Sequence, residues 1–196
     1  MSEPVQPFQA QEVNLSGWNG GAFSSYVQGK NGFAVKGLVN GLSMGYDWPQ
    51  NGYTLGVEAT GETGNVYNLV LVNATSTASS SVRNLVSLTA NAKMNPIESS
   101  SMTFSPFIKG GLSLTDSYYG NVTASSSQQT GLGYKSFKAG WTAGVGADVN
   151  IGKDTDMRFG YNYWKSGKFN HGITTAGTAS FNQTLNQIQV GLRHKF

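Results

Sequence analysis

No cysteine occurs among the 196 residues, so the chain can hold neither a disulfide framework nor a thiolate metal site. Charge is scarce too: Asp, Glu, Lys and Arg make up 12% of residues, against roughly 25% in an ordinary soluble domain. An ordinary charged surface is therefore not available. Long hydrophobic runs are also missing. The longest candidate, NLVLVNA at residues 68–74, falls far short of the ~18 residues a membrane helix needs, and mean hydropathy is only -0.27. A helical membrane protein is excluded. The net charge of +3 comes from scattered Lys and Arg rather than a basic stripe, which excludes nucleic-acid binding. The first residues, MSEPVQP, show neither a basic n-region nor an apolar h-region. No signal peptide is legible here, so a mature chain with an added Met1 is expected.

What the chain does have is glycine (26 residues), aromatics (12%) and alternation. The aromatic content argues against disorder, and no solenoid-length repeat divides the chain, so one domain is expected. Low charge without a hydrophobic helix leaves a soluble β-sandwich or a membrane barrel that spreads its apolar surface over every second residue. The alternation decides between them. From Phe137 to Ile151 the odd-numbered positions Phe137, Ala139, Trp141, Ala143, Val145, Ala147, Val149 and Ile151 are all apolar, and the intervening ones are small or polar. Globular strands usually run to about 5 or 6 residues, whereas tilted membrane strands need ~9–11. The pattern resumes after a short turn at residues 152–156, with Met157, Phe159, Tyr161 and Tyr163 on one face and Arg158, Asn162 and Trp164 on the other. Similar faces appear at Leu38, Leu42, Met44 and Tyr46; at Tyr53, Leu55 and Val57; at Val86, Leu88 and Met94; at Ile108, Leu112 and Leu114; and at Ile188, Val190, Leu192, His194 and Phe196. A first strand at residues 17–27 has an ambiguous facing.

These segments predict an all-β fold: an eight-stranded antiparallel up-and-down transmembrane β-barrel over residues 13–196, preceded by a flexible N-terminal segment at 1–12. An even strand count places both termini in the periplasm. Residues 48–52, 95–101 and 152–156 read as tight periplasmic turns. Residues 61–82, 115–134 and 165–184, rich in Ser, Thr, Gly and Asn, read as long extracellular loops. Tyr46, Trp48, Tyr53 and Phe196 fall at periplasmic strand ends and Phe137, Trp141 and Tyr163 at outer ends, as interfacial girdles require.

The stretches GLSMGYDWPQNGYTLGVEATG (41–61), SPFIKGGLSL (105–114), GWTAGVGADVNIGKDTDMRFGYNYW (140–164) and IQVGLRHKF (188–196) resemble the small outer-membrane β-barrel family that includes opacity-type surface proteins and the barrel of outer-membrane protein A. The resemblance implies residence in a Gram-negative outer membrane and handling by periplasmic chaperones and the barrel-assembly machinery. It also implies a C-terminal assembly signal made of Ile188, Val190, Leu192, His194 and Phe196, with His194 standing where the family usually has an aromatic.

An eight-stranded barrel is too narrow for an open channel, so inward side chains must fill it. Glu58, Lys93, Lys109, Asp148, Arg158 and Arg193 share the inward parity and must pair or stay hydrated. Counting back from the short turn sets Asp148 across from Arg158. The expected role is a structural polar network; a proton or ion path through the lumen is the alternative. Lys36 shares the lipid-facing parity of Leu38 and would snorkel to the outer rim. There, with Lys30, Lys135, Lys165 and Lys168, it could meet lipopolysaccharide phosphates as well as membrane lipid. The apolar segment VYNLVLV at 66–72 either extends a hairpin above the membrane or meets a host or neighbouring surface. Only His171 and His194 are available as histidine bases, one in a Gly-rich loop and one on the outer face, so no enzyme, metal site or cofactor is expected. The function expected is structural or surface-interacting, adhesion-like through the extracellular loops. A narrow porin or transporter for small or apolar molecules is the alternative.

Overall fold

A computed structural model describes residues 17–30, 34–73, 76–99, 102–124, 134–173 and 177–196. The expected boundary between residues 12 and 13 lies outside them. Nine strands follow in order: β1 (Gly17–Lys30), β2 (Ala34–Pro49), β3 (Tyr53–Asn73), β4 (Ser76–Met94), β5 (Ile97–Ser99), β6 (Met102–Ala124), β7 (Tyr134–Asn150), β8 (Thr155–Ile173) and β9 (Gly177–Lys195). The three-residue β5 pairs only with the start of β6, inside the segment expected to be a plain turn. The other eight are antiparallel to their neighbours, and β1 pairs with β9 from Asn19↔Lys195 to Gly29↔Leu185, so the sheet closes and leaves no long edge. The eight-stranded barrel read from the alternation is the observed fold.

The ladder fixes its tilt. Partners traced from Trp18 through Tyr46, Val57, Ala90, Gly110, Ala143, Tyr163 and Asn186 return to β1 at Gln28, ten residues farther along the strand. Such a stagger is what closure of tilted strands requires. Parity then sorts side chains. Leu42, Leu88, Leu112, Val145, Ile188 and Leu192 are exposed on the outer wall, whereas Glu58, Lys93, Asp148, Arg158 and Arg193 are buried in the lumen. The facing of β1, ambiguous in sequence, is settled by its neighbours: Trp18, Ala22 and Tyr26 point out, and Asn19, Phe23, Ser25 and Val27 point in. Inward Phe23 fits because Gly41 opposite has no side chain, and a Cβ there would collide with the Phe23 ring.

At the end holding the termini, the Phe196 amide donates to the Trp18 carbonyl at 3.0 Å. Trp18 meets Tyr46 edge-on there and Tyr46 meets Trp48 at a tilt, with centroids 5.4 and 4.9 Å apart. Trp141 and Tyr163, centroids 5.3 Å apart, stand toward the opposite end. Strands stop close to the girdle at the first end but run on well past Trp141 and Tyr163 at the other, so the first end is the periplasmic side.

The expected long extracellular loops require correction. Most of residues 61–82, 115–134 and 165–184 continue the ladder: β3 and β4 stay paired to Asn73↔Ser76, and β8 and β9 to Ile173↔Gly177. Composition misleads here because Thr, Val and Tyr among the Ser and Gly favour strand, and hairpin pairing satisfies backbone groups in water as well as in lipid. Among the described residues, the register shifts fall in this outer part, at Thr63/Val66, Leu71/Asn73, Ala78/Ser80, Val82/Asn84 and Lys165/Lys168. The segment at 66–72 therefore belongs to an extended hairpin. Its side chains beyond Val66 lie outside the described residues.

Candidate functional site

The lumen is the place where polar chemistry concentrates, and it is built in tiers. In the tier nearest the termini, Asp148 and Arg158 are register partners on β7 and β8. The guanidinium grips the carboxylate with two bonds, Nε to Oδ1 at 2.7 Å and Nη2 to Oδ2 at 3.1 Å, the fork-to-fork geometry that favours arginine. Its Nη1 donates across the lumen to Glu58 Oε2, while Lys109 Nζ donates to Glu58 Oε1 at 3.3 Å. Lys93 Nζ lies 2.8 Å from Asp148 Oδ2 and 3.5 Å from Asp47 Oδ2. Arg193 completes the ring, donating from Nη2 to Asp47 at 2.6 Å, from Nη1 to Asp148 at 3.5 Å, and from Nε to Asn19 at 3.0 Å. No side chain of these ion pairs is more than 7% exposed. Buried charge is tolerated when it is paired and hydrogen-bonded, and here each charge meets an opposite one. The Arg158 Cζ also lies 4.7 Å from the centroid of the Phe107 ring, a cation–π contact. Gly146 makes the room for it, since a Cβ there would stand 2.5 Å from Phe107 Cζ.

Above this tier lie amides and hydroxyls around one further carboxyl, that of Glu62. Gln187 Nε2 donates to Glu62, and Gln187 Oε1 accepts from Asn162 Nδ2 at 3.1 Å and from Trp164 Nε1 at 2.8 Å. Asn162 Nδ2 also reaches Gln189 Oε1 at 3.1 Å, and the Thr60 and Ser87 hydroxyls share a bond of 2.7 Å. At the outer end the lumen turns apolar. Val27, Val39, Val66, Val82, Leu85, Trp164 and Leu185 form one buried cluster contributed by β1, β2, β3, β4, β8 and β9. Trp164 joins two tiers, its ring in the apolar plug and its N–H on Gln187.

The structure thus brings together all six charges expected inside: Glu58, Lys93, Lys109, Asp148, Arg158 and Arg193. Sequence reasoning missed Asp47 and Asn19, which complete the ring. It also missed Glu62 with Gln187, and the whole plug. Asp47 carried a usable signal, since it shares the inward parity of Ser43 and Gly45 on β2. The terminal row Ile188, Val190, Leu192, His194 and Phe196 is exposed on the outer wall, with the His194 ring edge-on to Phe196 at 5.2 Å. His194 shares a 3.2 Å hydrogen bond with the Thr155 hydroxyl. The side chains of His171, Lys30, Lys135 and Lys168 lie outside the described residues. Lys36 is exposed at the outer end of β2, and Lys165 is half-buried on β8. Among the described residues no group of His, Asp and Glu is arranged to hold a metal ion.

No curated protein sequence matches this chain. Solved structures share its fold. Neisserial surface protein A is 17% identical with a TM-score of 0.57, the match covering 92% of this chain and 98% of that one. OprG from Pseudomonas aeruginosa is 14% identical with a TM-score of 0.53, covering 91% and 94%. Ail, the attachment invasion locus protein of Yersinia pestis, is 12% identical with a TM-score of 0.50, covering 91% and 99%. The outer membrane protein beta-barrel domain matches residues 3–196, and with the closed barrel and its girdles this settles the assignment: the chain belongs to that family and resides in the bacterial outer membrane.

Proposed function

We propose that this protein is a non-enzymatic, non-conducting scaffold that holds its outer hairpins out for contact with a host or neighbouring surface. The observation that carries this reading is the filled lumen: an ion-paired tier and an apolar plug both obstruct it. Rigid strands support the display. At ~3.4 Å per residue, the 21 residues of β3 are about twice what a tilted strand needs to cross a membrane. Recognition commonly sits on segments held by such a scaffold.

Removing residues 67–80, the outer end of the β3–β4 hairpin, tests the reading. Cells carrying the shortened barrel should lose adhesion while the purified protein still refolds and keeps heat-modifiable gel migration. Lost refolding with unchanged adhesion would leave the hairpin a purely structural part and overturn the display role. The exposed terminal row Ile188, Val190, Leu192, His194 and Phe196 supports a second element of the proposal, recognition by the assembly machinery. Deleting Phe196 should lower insertion in cells but not refolding in detergent; equal loss in both would make the residue merely structural.

A further inference from the structure

The ionic tier is satisfied unevenly around the lumen. On β6 to β9, Lys109, Asp148, Arg158 and Arg193 each meet an opposite charge. On β2 to β4, Asp47 Oδ1, Thr54 Oγ1 and Asn91 Oδ1 have no hydrogen-bond partner among the described residues. Their side chains are nonetheless buried, Asp47 being 3%, Thr54 0% and Asn91 8% exposed. Lys93 and Arg193 both engage the other Asp47 oxygen, Oδ2. Buried polar atoms without partners are rare and costly, so three in one tier require an explanation.

The three orphans share one place. Asp47, Gly56 and Asn91 are direct partners on β2, β3 and β4. Thr54 lies two residues before Gly56, on the same inward face. A Cβ on Gly56 would stand 2.6 Å from Asp47 Oδ1, 2.8 Å from Asn91 Oδ1 and 2.9 Å from Asn91 Nδ2. Both unpartnered oxygens therefore converge on the space before the bare Gly56 Cα. Such distances compress a carbon but are ordinary for an O–H donor. The occupant must donate, because a carboxylate oxygen and an amide oxygen only accept, and an anion is excluded by the same two atoms. Charge excludes a metal cation. Lys93, Lys109, Arg158 and Arg193 already outnumber Asp47, Glu58 and Asp148 in this tier, and two of those cations lie against the Asp47 carboxylate. A neutral molecule with two donors and one small atom between them meets every condition. Buried waters make about three hydrogen bonds, and the Thr54 hydroxyl is placed to supply the third.

We propose that this niche binds one ordered water, which donates to Asp47 Oδ1 and Asn91 Oδ1, accepts from the Thr54 hydroxyl and completes the ionic tier where Gly56 leaves it open. The refolded full chain, labelled with ¹³C and ¹⁵N in detergent micelles, is probed by water-selective NOE and ROE spectra. The Gly56 α-protons should show water cross-peaks of opposite sign in the two experiments, the signature of a bound rather than a diffusing water. Their absence in wild type would overturn the proposal without any variant needing to fold, and would leave a direct Asp47–Asn91 bond with the amide turned over. The cross-peaks should disappear in Asn91→Leu, checked for folding by heat-modifiable migration, and their persistence there would overturn the proposal. They should survive Thr54→Val, since two acceptors remain; loss there would assign them to exchange with the Thr54 hydroxyl and overturn it too. Replacing sodium by choline at equal ionic strength should leave the urea midpoint unchanged, whereas a lower midpoint in choline would put a metal cation in the niche instead.

Discussion

The two tiers of the lumen use opposite chemistry. Near the periplasm Arg158, Arg193, Lys93 and Lys109 interlock with Asp47, Glu58 and Asp148; near the outside Val27, Val39, Leu85, Trp164 and Leu185 pack without charge. Each part of the ionic tier is useless alone, because removing one member leaves its partners buried and unpaired. The plug is a sum of separate contacts, and losing one side chain leaves a hole rather than a charge. The tiers should therefore fail differently, the lower one as a unit and the upper one by increments.

Arg158→Met should do the most damage. It strips Asp148 of two bonds and Glu58 of one, and about 3–5 kcal/mol of stability should be lost, read as a lower urea midpoint in lipid vesicles. A midpoint within error of wild type would mean the tier is hydrated and the contrast false. Leu185→Ala opens the plug and should cost about 3 kcal/mol by the same assay. Coupling separates the tiers further. Combined with Arg158→Met its cost should simply add, since the two share no partner, and a large interaction energy would join the tiers into one unit. Next comes Gly146→Ala, whose Cβ would crowd both the Phe159 carbonyl oxygen and the Phe107 ring that lies on Arg158, and it should cost about 1–3 kcal/mol. Smallest is Thr155→Ala at the exposed rim, below about 0.5 kcal/mol; a larger effect would show that the rim bond with His194 contributes to the fold.

Much of this architecture was legible because side-chain parity in a strand is a local property. Val145 and Asp148 sort to opposite walls from their positions alone, and the short turn before Thr155 places Arg158 beside Asp148 by counting. The Glu58 contact with Arg158 was not countable. It crosses the lumen between strands that never pair, and depends on the ten-residue stagger that only closure reveals. The plug left a fainter trace: Val39 and Leu185 sit on the faces of Ser43 and Gln187, apolar residues on otherwise polar rows. In the hairpins, register shifts break the alternation, and composition alone was a poor guide to segments that pair above the membrane.

Planar-bilayer recording of the refolded barrel tests the central claim, a lumen blocked twice by independent means. Wild type should pass no current, and Trp164→Ala/Leu185→Ala should also stay silent because the ion-paired tier remains beneath the opened plug. Reproducible unitary conductance in wild type, or its appearance once the plug alone is opened, would contradict the account.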